Sequence, residues 1–464
     1  MSDTPPNFDS QPTQDQDAYA LDAAVVEALL NAVAEGARER LIETLEPVHP
    51  ADIADFIEQI GPVERRNLLT LWGPQIDADF LFELEEGVRD EVMEILSPEQ
   101  IAVAVQERDT DDLVYLVEDM EEEAQEAVLD ALDEADRVAV EQSLQYPEDS
   151  AGRLMQRHVV TAPQHWTVGD AIDFMRASDD LPDQFYDIVI IDPRHKPVGE
   201  VRLGKIMATP RWVKLADMME EGLRTIPVDQ TSADVAYAFN QYHMIQAPVV
   251  DENGRLVGVI TIDDAMDVLE DEAEEDMMRL AGLGAEEEIT DSVWETTRQR
   301  FPWLGVNLIT AVFASIVISF FEDTIAAIVA LAVLMPIVAS MGGNAGTQSL
   351  TVAVRALATR DLTGSNAYRV VRREVLAGLL NGLAFAVIIG VVGVIWFGSP
   401  MLGVVLGISM VINMVVAGLA GILIPIGLEK AGADPALASG AFVTTVTDVV
   451  GFFSFLGLAG WLLL

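Results

Sequence analysis

The 464-residue sequence contains no cysteine. Disulfide frameworks and thiolate metal sites are therefore excluded. Lysine is nearly absent too, limited to Lys196, Lys205, Lys214 and Lys430. Lys and Arg together number 27 against 76 Asp and Glu, a formal net charge of −49. A surface so poor in positive charge argues against nucleic acid as a partner, because phosphates need basic side chains. No G-x-x-x-x-G-K-[ST] stretch occurs, so no P-loop ATPase is expected. Residues 1–17, "MSDTPPNFDSQPTQDQD", lack both a basic start and an apolar run. Residues 1–19 are expected to form a disordered tail and not a signal peptide.

The charge is divided unevenly. Residues 301–464 hold six Lys/Arg and seven Asp/Glu, which leaves 21 basic and 69 acidic residues in 1–300. The N-terminal part is strongly anionic, and the C-terminal part is almost neutral and apolar. Two readings of the anionic part stay open: a surface that attracts cations, and a solvated acidic surface of the kind found in salt-adapted proteins.

Five apolar runs follow residue 300, at about 303–321, 324–343, 375–397, 401–428 and 436–464. Each is long enough to cross about 30 Å of hydrocarbon as a helix. The segment 344–374 reads as an amphipathic, Arg-rich connector. Arg298 and Arg300 precede the first run, five Arg lie in 355–373, and Lys430 lies between the last two runs. With five spans these segments share one side, and the loops 322–323 and 398–400 on the other side have no Lys or Arg. The positive-inside rule then makes the N-terminal part cytoplasmic and puts the C-terminus outside.

Residues 20–145 read as helices with a weak internal repeat, "ADIADFIEQIGPVERRNLLTLW" (51–72) against "DDLVYLVEDMEEEAQEAVLDAL" (111–132). Stacked helical hairpins would bury such faces. Residues 146–267 double on themselves as strand, helix, strand, turn, strand, and this resembles a tandem pair of CBS domains. In such modules an acid three residues after a Thr or Ser can hold ribose. The second half has Gly258, Thr261 and Asp264, whereas the first has Gly199, Arg202 and Lys205. At most one nucleotide site is expected, and a pair that relays signals without nucleotide remains the alternative. Residues 268–300 begin with a long acidic helix. Its acids recur at helical spacing with few basic partners, which suits either a solvated face or hard oxygen ligands for a divalent cation.

Asp448 is the one ionisable residue inside the five apolar runs, roughly 18 Å into the bilayer. Its cost there is about 2.5–3.5 kcal/mol. Gly440, Thr444, Thr447, Asp448 and Gly451 share a small, polar stripe, which either packs closely on another helix or borders water. In "PIVASMGGNAGTQS" (336–349), Pro336, Gly342, Gly343 and Gly346 are expected to weaken the helix and free carbonyls, with Asn344 and Gln348 adding oxygens. A hydrophilic path with one carboxylate per subunit suits Mg2+, which dehydrates reluctantly. The lack of His and Cys within the spans leaves Co2+, Ni2+ and Mn2+ as minor permeants.

Taken together, "YPEDSAGRLM" (146–155), "SVWETTRQRFPWLGVNL" (292–308), "PIVASMGGNAGTQS", "VRALATRDL" (354–362) and "DPALASGAFVTTVTD" (434–448) resemble the MgtE family of magnesium channels. The resemblance spans about 20–464. It implies a multidomain membrane protein: an α-helical superhelical N domain (20–145), an α/β tandem CBS pair (146–267), a connecting plug helix (268–300) and a five-helix transmembrane domain (301–464). It further implies a homodimer in the cell inner membrane with one central pore for Mg2+ influx. Asp448 would be the selectivity carboxylate, with Thr444, Asn344, Gly342 and Gly343 beside it, and Asp434 would lie at the cytoplasmic mouth. Regulatory Mg2+ would fall to Asp264, Asp267, Glu272, Glu275 and Asp276, with Asp109, Asp111 and Asp112 of the N domain as further carriers. Some members bind ATP at the CBS pair, here at Thr261 and Asp264. His243 stands where an acid is expected in some relatives, which puts one regulatory site in doubt.

Two rival readings are distinguishable. An intramembrane aspartyl protease needs two carboxylates sharing a proton, and one span residue supplies only one per chain. A non-conducting magnesium sensor would use the same cytosolic acids and be indifferent to the loss of Asp448.

Overall fold

The computed structural model describes residues 21–73, 76, 78–97, 100–101, 105, 108–118, 120, 122–178, 181–182, 185–220, 222–284, 287, 293–437 and 440–464. The expected N-terminal tail lies outside these. The chain forms two compact units, Met1–Leu269 and Glu270–Leu464.

The first unit begins with helices α1 (Ala23–Glu35), α2 (Arg38–Leu45), α3 (Pro50–Gln59), α4 (Pro62–Trp72), α5 (Glu86–Ile95), α6 (Thr110–Val117), α7 (Glu122–Ala131) and α8 (Glu134–Ser143). The two repeat-like segments fold as the pairs α3/α4 and α6/α7. Proline at the first helical position starts both α3 and α4, where its missing N–H has no intrahelical partner to lose. Buried Arg65 closes the first pair. Its guanidinium donates to the Ile57 carbonyl (3.1 Å) and the Ile60 carbonyl (3.2 Å) at the end of α3, and it pairs with Glu91. The carbonyls a helix leaves unpaired at its C-terminus are thus satisfied by a side chain from the next helix. The apolar faces, among them Phe56, Ile57, Leu68, Phe80 and Leu81, form one core, and Leu113, Leu116, Val117 and Val128 a second.

A short α9 (Ala151–Leu154) leads into the duplicated α/β part. Its first half is β1 (Thr161–Pro163), α10 (Val168–Ala177), β2 (Asp187–Ile191), β3 (Pro197–Arg202) and α11 (Leu203–Ala208). The second is β4 (Ile226–Pro227), α12 (Ser232–Tyr242), β5 (Gln246–Val250) and β6 (Leu256–Thr261). Each half is a three-stranded sheet with a parallel first pair and an antiparallel second pair. The register slips at the same point in both hairpins, Ile190/Ile191 and Val249/Val250. The turns match as well. Asp192 Oδ1 accepts from the Arg194 and Lys196 amides, and Asp251 Oδ1 from the Asn253 and Arg255 amides. His195 (φ 64°) takes the left-handed position that Gly254 (φ 72°) takes in the second turn. β6 runs directly into α13 (Ile262–Ala281).

Among the described residues the second unit holds five helices long and apolar enough to span a membrane: α14 (Val293–Ser319), α16 (Ala330–Ala358), α17 (Ala367–Phe397), α18 (Pro400–Lys430) and α19 (Gly440–Leu462). A short α15 (Glu322–Ala327) occupies the connection between α14 and α16. α18 is the buried centre of the bundle, while α14 and α17 bury little of themselves. Glycines let backbones meet. A Cβ at Gly378 would lie 2.6 Å from the Met414 carbonyl oxygen, at Gly403 2.6 Å from that of Gly390, and at Gly421 2.6 Å from that of Gly346. Such seams gain dispersion contacts that lipid tails cannot supply.

α16 departs from the sequence expectation. The stretch 336–349 is continuous helix, and the helix extends through 358 into the expected connector. Unpaired backbone groups are expensive at membrane depth, and the glycines are used for close approach, not for freeing carbonyls. Gly342, Gly343 and Gly346 are buried against neighbouring helices, whereas Asn344 and Gln348 lie on the exposed side.

Candidate functional site

In the first unit, β6 ends at Thr261 and α13 starts one residue later. Thr261 donates to Asp264 Oδ2 through its hydroxyl (2.7 Å) and its backbone N–H (3.1 Å). The same turn that caps α13 thus holds the carboxylate at the end of the sheet. In the first half, Lys205 occupies the corresponding place and donates to the Met218 carbonyl (2.6 Å).

Asp264 does not stand alone. Asp111 and Asp112, in the first turn of α6, face it. Burial, with repulsion from Asp264, Asp112 and Asp109, pushes the Asp111 carboxyl well above its usual range. Burial raises Asp112 to about 6, against the pull of Arg108. Burial raises Asp264 to about 7, opposed by the Thr261 hydrogen bonds and reinforced by Asp263 and Asp112. Asp109, Asp111, Asp112 and Asp264 are therefore brought together across the helical and α/β parts, as mutually repelling carboxylates. Asp267 and Glu272 lie on exposed faces of α13.

Among the described residues no three Asp, Glu or His are placed to enclose a metal ion. The donor set is nevertheless of the right kind. Mg2+ keeps several waters and needs only one or two carboxylates, so partial charge neutralisation through water suits this cluster better than a closed cage.

In the second unit, Asp434 Oδ1 caps the turn before α19 by accepting from the Ala436 amide (2.8 Å). Its Oδ2 accepts from Arg279 Nη1 of α13 (2.5 Å), while Arg279 Nη2 pairs with Glu275 (2.8 Å). Asp276 lies close to the same group, and burial followed by repulsion from Asp434 raises its carboxyl above the usual range. Glu275, Asp276 and Asp434, expected as metal carriers, thus surround a guanidinium. Nothing in the sequence signalled this pairing, because its partners are 155 residues apart.

Asp448 is half-buried on α19, and among the described residues no hydrogen-bond donor or cation meets its carboxylate. The stripe around it packs as its small residues suggest. A Cβ at Gly343 would meet the Thr444 methyl at 3.1 Å, and one at Gly346 the Val443 side chain at 2.4 Å and the Thr447 methyl at 3.7 Å. The hydroxyls of Thr444 and Thr447 donate back to the carbonyls of Ala441 (3.1 Å) and Thr444 (2.9 Å). Asp448 therefore flanks a tight α16/α19 seam. Gly343 belongs to that seam, Gly342 faces Asn413 of α18, and Asn344 lies on the exposed side.

Sequence reading missed two polar residues in the bundle. Glu374, taken as the end of a loop, lies on α17, mostly buried, and accepts from Ser349 Oγ (3.0 Å). Asn413 is fully buried within α18. A lone Asn in "GISMVINMVV" was the available signal.

Comparison with known proteins bears on the whole chain. A family model described as a divalent cation transporter, MgtE, matches residues 335–458. The model of the MgtE intracellular N domain matches 48–149, and the CBS domain model matches 151–209 and 215–271. The magnesium transporter MgtE of Thermus thermophilus is 32% identical over 445 residues, 94% of this chain and 98% of that one. The magnesium transporter MgtE of Bacillus subtilis is 31% identical over 415 residues, 89% of this chain and 92% of that one. A crystal structure of the cytosolic domain of the Mg2+ channel MgtE in complex with ATP is 29% identical, with a TM-score of 0.48, covering 52% of this chain and 99% of that one. With the match running from the N domain through the CBS pair to the last membrane helix, the chain belongs to the MgtE family of magnesium transporters.

Proposed function

We propose that this chain is a Mg2+-selective channel that carries Mg2+ inward down its electrochemical gradient and closes when cytosolic Mg2+ binds its acidic domains. The observation that carries the reading is Asp448, a half-buried carboxylate without a partner among the described residues, on the seam-forming face of a membrane helix. A lone anion at that depth is stabilised by water and a passing cation. The membrane potential supplies about 2.3 kcal/mol per charge per 100 mV, and so roughly twice that for a divalent ion. No hydrolysis step is required.

Closure by Mg2+ follows from the repelling acids. At low cytosolic Mg2+ the carboxylates of Asp109, Asp111, Asp112 and Asp264 resist being held together. Mg2+ offsets that repulsion and favours the compact form, which is all that a ligand-biased two-state element needs. Asp434, Glu275 and Asp276 would act in the same sense at the cytoplasmic mouth. A homodimer would bring two Asp448 carboxylates to one path, with the N-terminal domains cytoplasmic and the C-terminus outside. ATP would be held at Thr261 and Asp264, the one half whose sheet end carries the matching pair.

The test is Mg2+ flux into proteoliposomes by wild type and Asp448→Ala, at low and high Mg2+ on the cytosolic-domain side. Wild type should conduct and be inhibited by Mg2+ on that side, and Asp448→Ala should abolish flux with the assembly intact. Undiminished flux through Asp448→Ala refutes the selectivity role. Metal-dependent compaction without any wild-type flux would favour the sensor reading.

A further inference from the structure

Asn413 is a polar side chain with zero solvent exposure, near the middle of the most buried membrane helix. Its Nδ2 donates to the Val338 carbonyl on α16 (2.8 Å). Among the described residues its buried Oδ1 accepts no hydrogen bond. An unmet buried acceptor costs free energy that an apolar residue of the same shape would not incur.

Two other helices make room for this amide. A Cβ at Gly342 of α16 would lie 2.1 Å from Nδ2, and a Cβ at Gly451 of α19 would lie 2.8 Å from it. Real Cβ atoms do not approach so closely, so a methyl at either position would force the amide out of its place. Asn413 is therefore a wedge on α18 against which α16 and α19 both rest. Gly451 is three residues beyond Asp448 and on the same face of α19. On the other side of Asp448, Thr447 and Val443 rest on Gly346. The carboxylate is bracketed by two contacts, one of which Asn413 supplies.

We propose that Asn413 is a positioning residue for Asp448. It sets the spacing and rotation of α19 against α16 at the depth of the carboxylate, so that Asp448 stays beside the seam and not within it. This inference rests on Asp448 carrying the ion. Asn413 touches no ion itself.

The decisive variant is Asn413→Leu, which keeps the branched skeleton of the side chain but replaces the amide donor and the unmet acceptor with two bulkier methyls. In full-length protein the melting temperature should stay within a few degrees of wild type, because removing the unmet acceptor opposes the crowding of the methyls against Gly342 and Gly451. Mg2+ flux in proteoliposomes should fall at least tenfold, and preference for Mg2+ over Ca2+ should fall severalfold. Because the chain has no cysteine, Asp448→Cys gives a second readout. Its modification rate by a charged methanethiosulfonate reagent should change severalfold when Asn413→Leu is added. If Asp448→Ala abolishes flux while Asn413→Leu keeps wild-type flux, selectivity and modification rate, the positioning role is overturned and the function stands. If Asp448→Ala itself conducts, the selectivity reading has failed instead. Should the leucine variant not assemble, Asn413→Ala is judged by the same readouts, since it opens space without adding a contact.

Discussion

Asp264→Asn isolates the electrostatic part of the proposed closure. In the folded protein the Asp264 carboxyl is raised from 3.8 to about 7, first by burial and then by Asp263 and Asp112, against the Thr261 hydrogen bonds. Because the folded value lies above the unfolded one, the contribution favouring the compact state is full below about pH 4 and is lost as the pH rises through about 7. At about 1.4 kcal/mol per unit, the upper bound is ~4 kcal/mol. The side chain keeps some contact with water and its neighbours can relax, so about 2 kcal/mol is the expected size. The amide keeps an oxygen for Thr261 and removes the charge. Without Mg2+ at pH 8, full-length Asp264→Asn should melt roughly 4–8 °C above wild type. The difference should shrink as the pH falls and close only below about pH 4, where Asp264 is protonated in the folded and the unfolded chain alike. Added Mg2+ at pH 8 should raise the wild-type melting temperature more than that of the variant. A variant that melts at or below the wild-type temperature at pH 8 without Mg2+ would refute the reasoning.

Other predictions follow from the bundle and its mouth. Gly378→Ala forces a Cβ to 2.6 Å from a backbone oxygen of α18, and overpacking of this kind costs about 1–3 kcal/mol. It should show as a lower melting temperature in detergent, whereas Gly427→Ala, with open space around it, should not. Arg279→Gln releases α13 from Asp434. The pair is partly exposed and worth no more than about 1 kcal/mol. Flux without cytosolic-side Mg2+ should rise, by at most about fivefold, and inhibition by Mg2+ should begin at lower concentration, because three carboxylates lose their resident cation.

Much of this architecture is legible in the sequence because it is written in local patterns. Five long apolar runs fold as five helices long and apolar enough to span a membrane, and a duplicated strand–helix–strand–strand order gives two similar sheets. The extra length of α16 was not legible. Its sequence loses hydropathy at "GGNAGTQS", and glycine costs about 1 kcal/mol in a helix, so a break was expected. Close packing of Gly342, Gly343 and Gly346 on α18 and α19 offsets that cost, and no single-segment pattern contains those partners. The candidate site divides in the same way. Asp448 stood out from composition, and Thr261 with Asp264 from spacing. Asn413 against Val338, Glu374 against Ser349 and Arg279 against Asp434 are separated by 75, 25 and 155 residues. Only the fold brings them together.

The glycine seams have a mechanical consequence. Where main chains touch without intervening side chains, as at Gly378 on Met414, Gly403 on Gly390 and Gly421 on Gly346, there is no soft layer to compress or shear. Helices α16, α17 and α18 are welded into one stave, stiff against bending and sliding. In the proposed channel, dilation would therefore come from whole staves tilting or drawing apart and not from loosening one from inside.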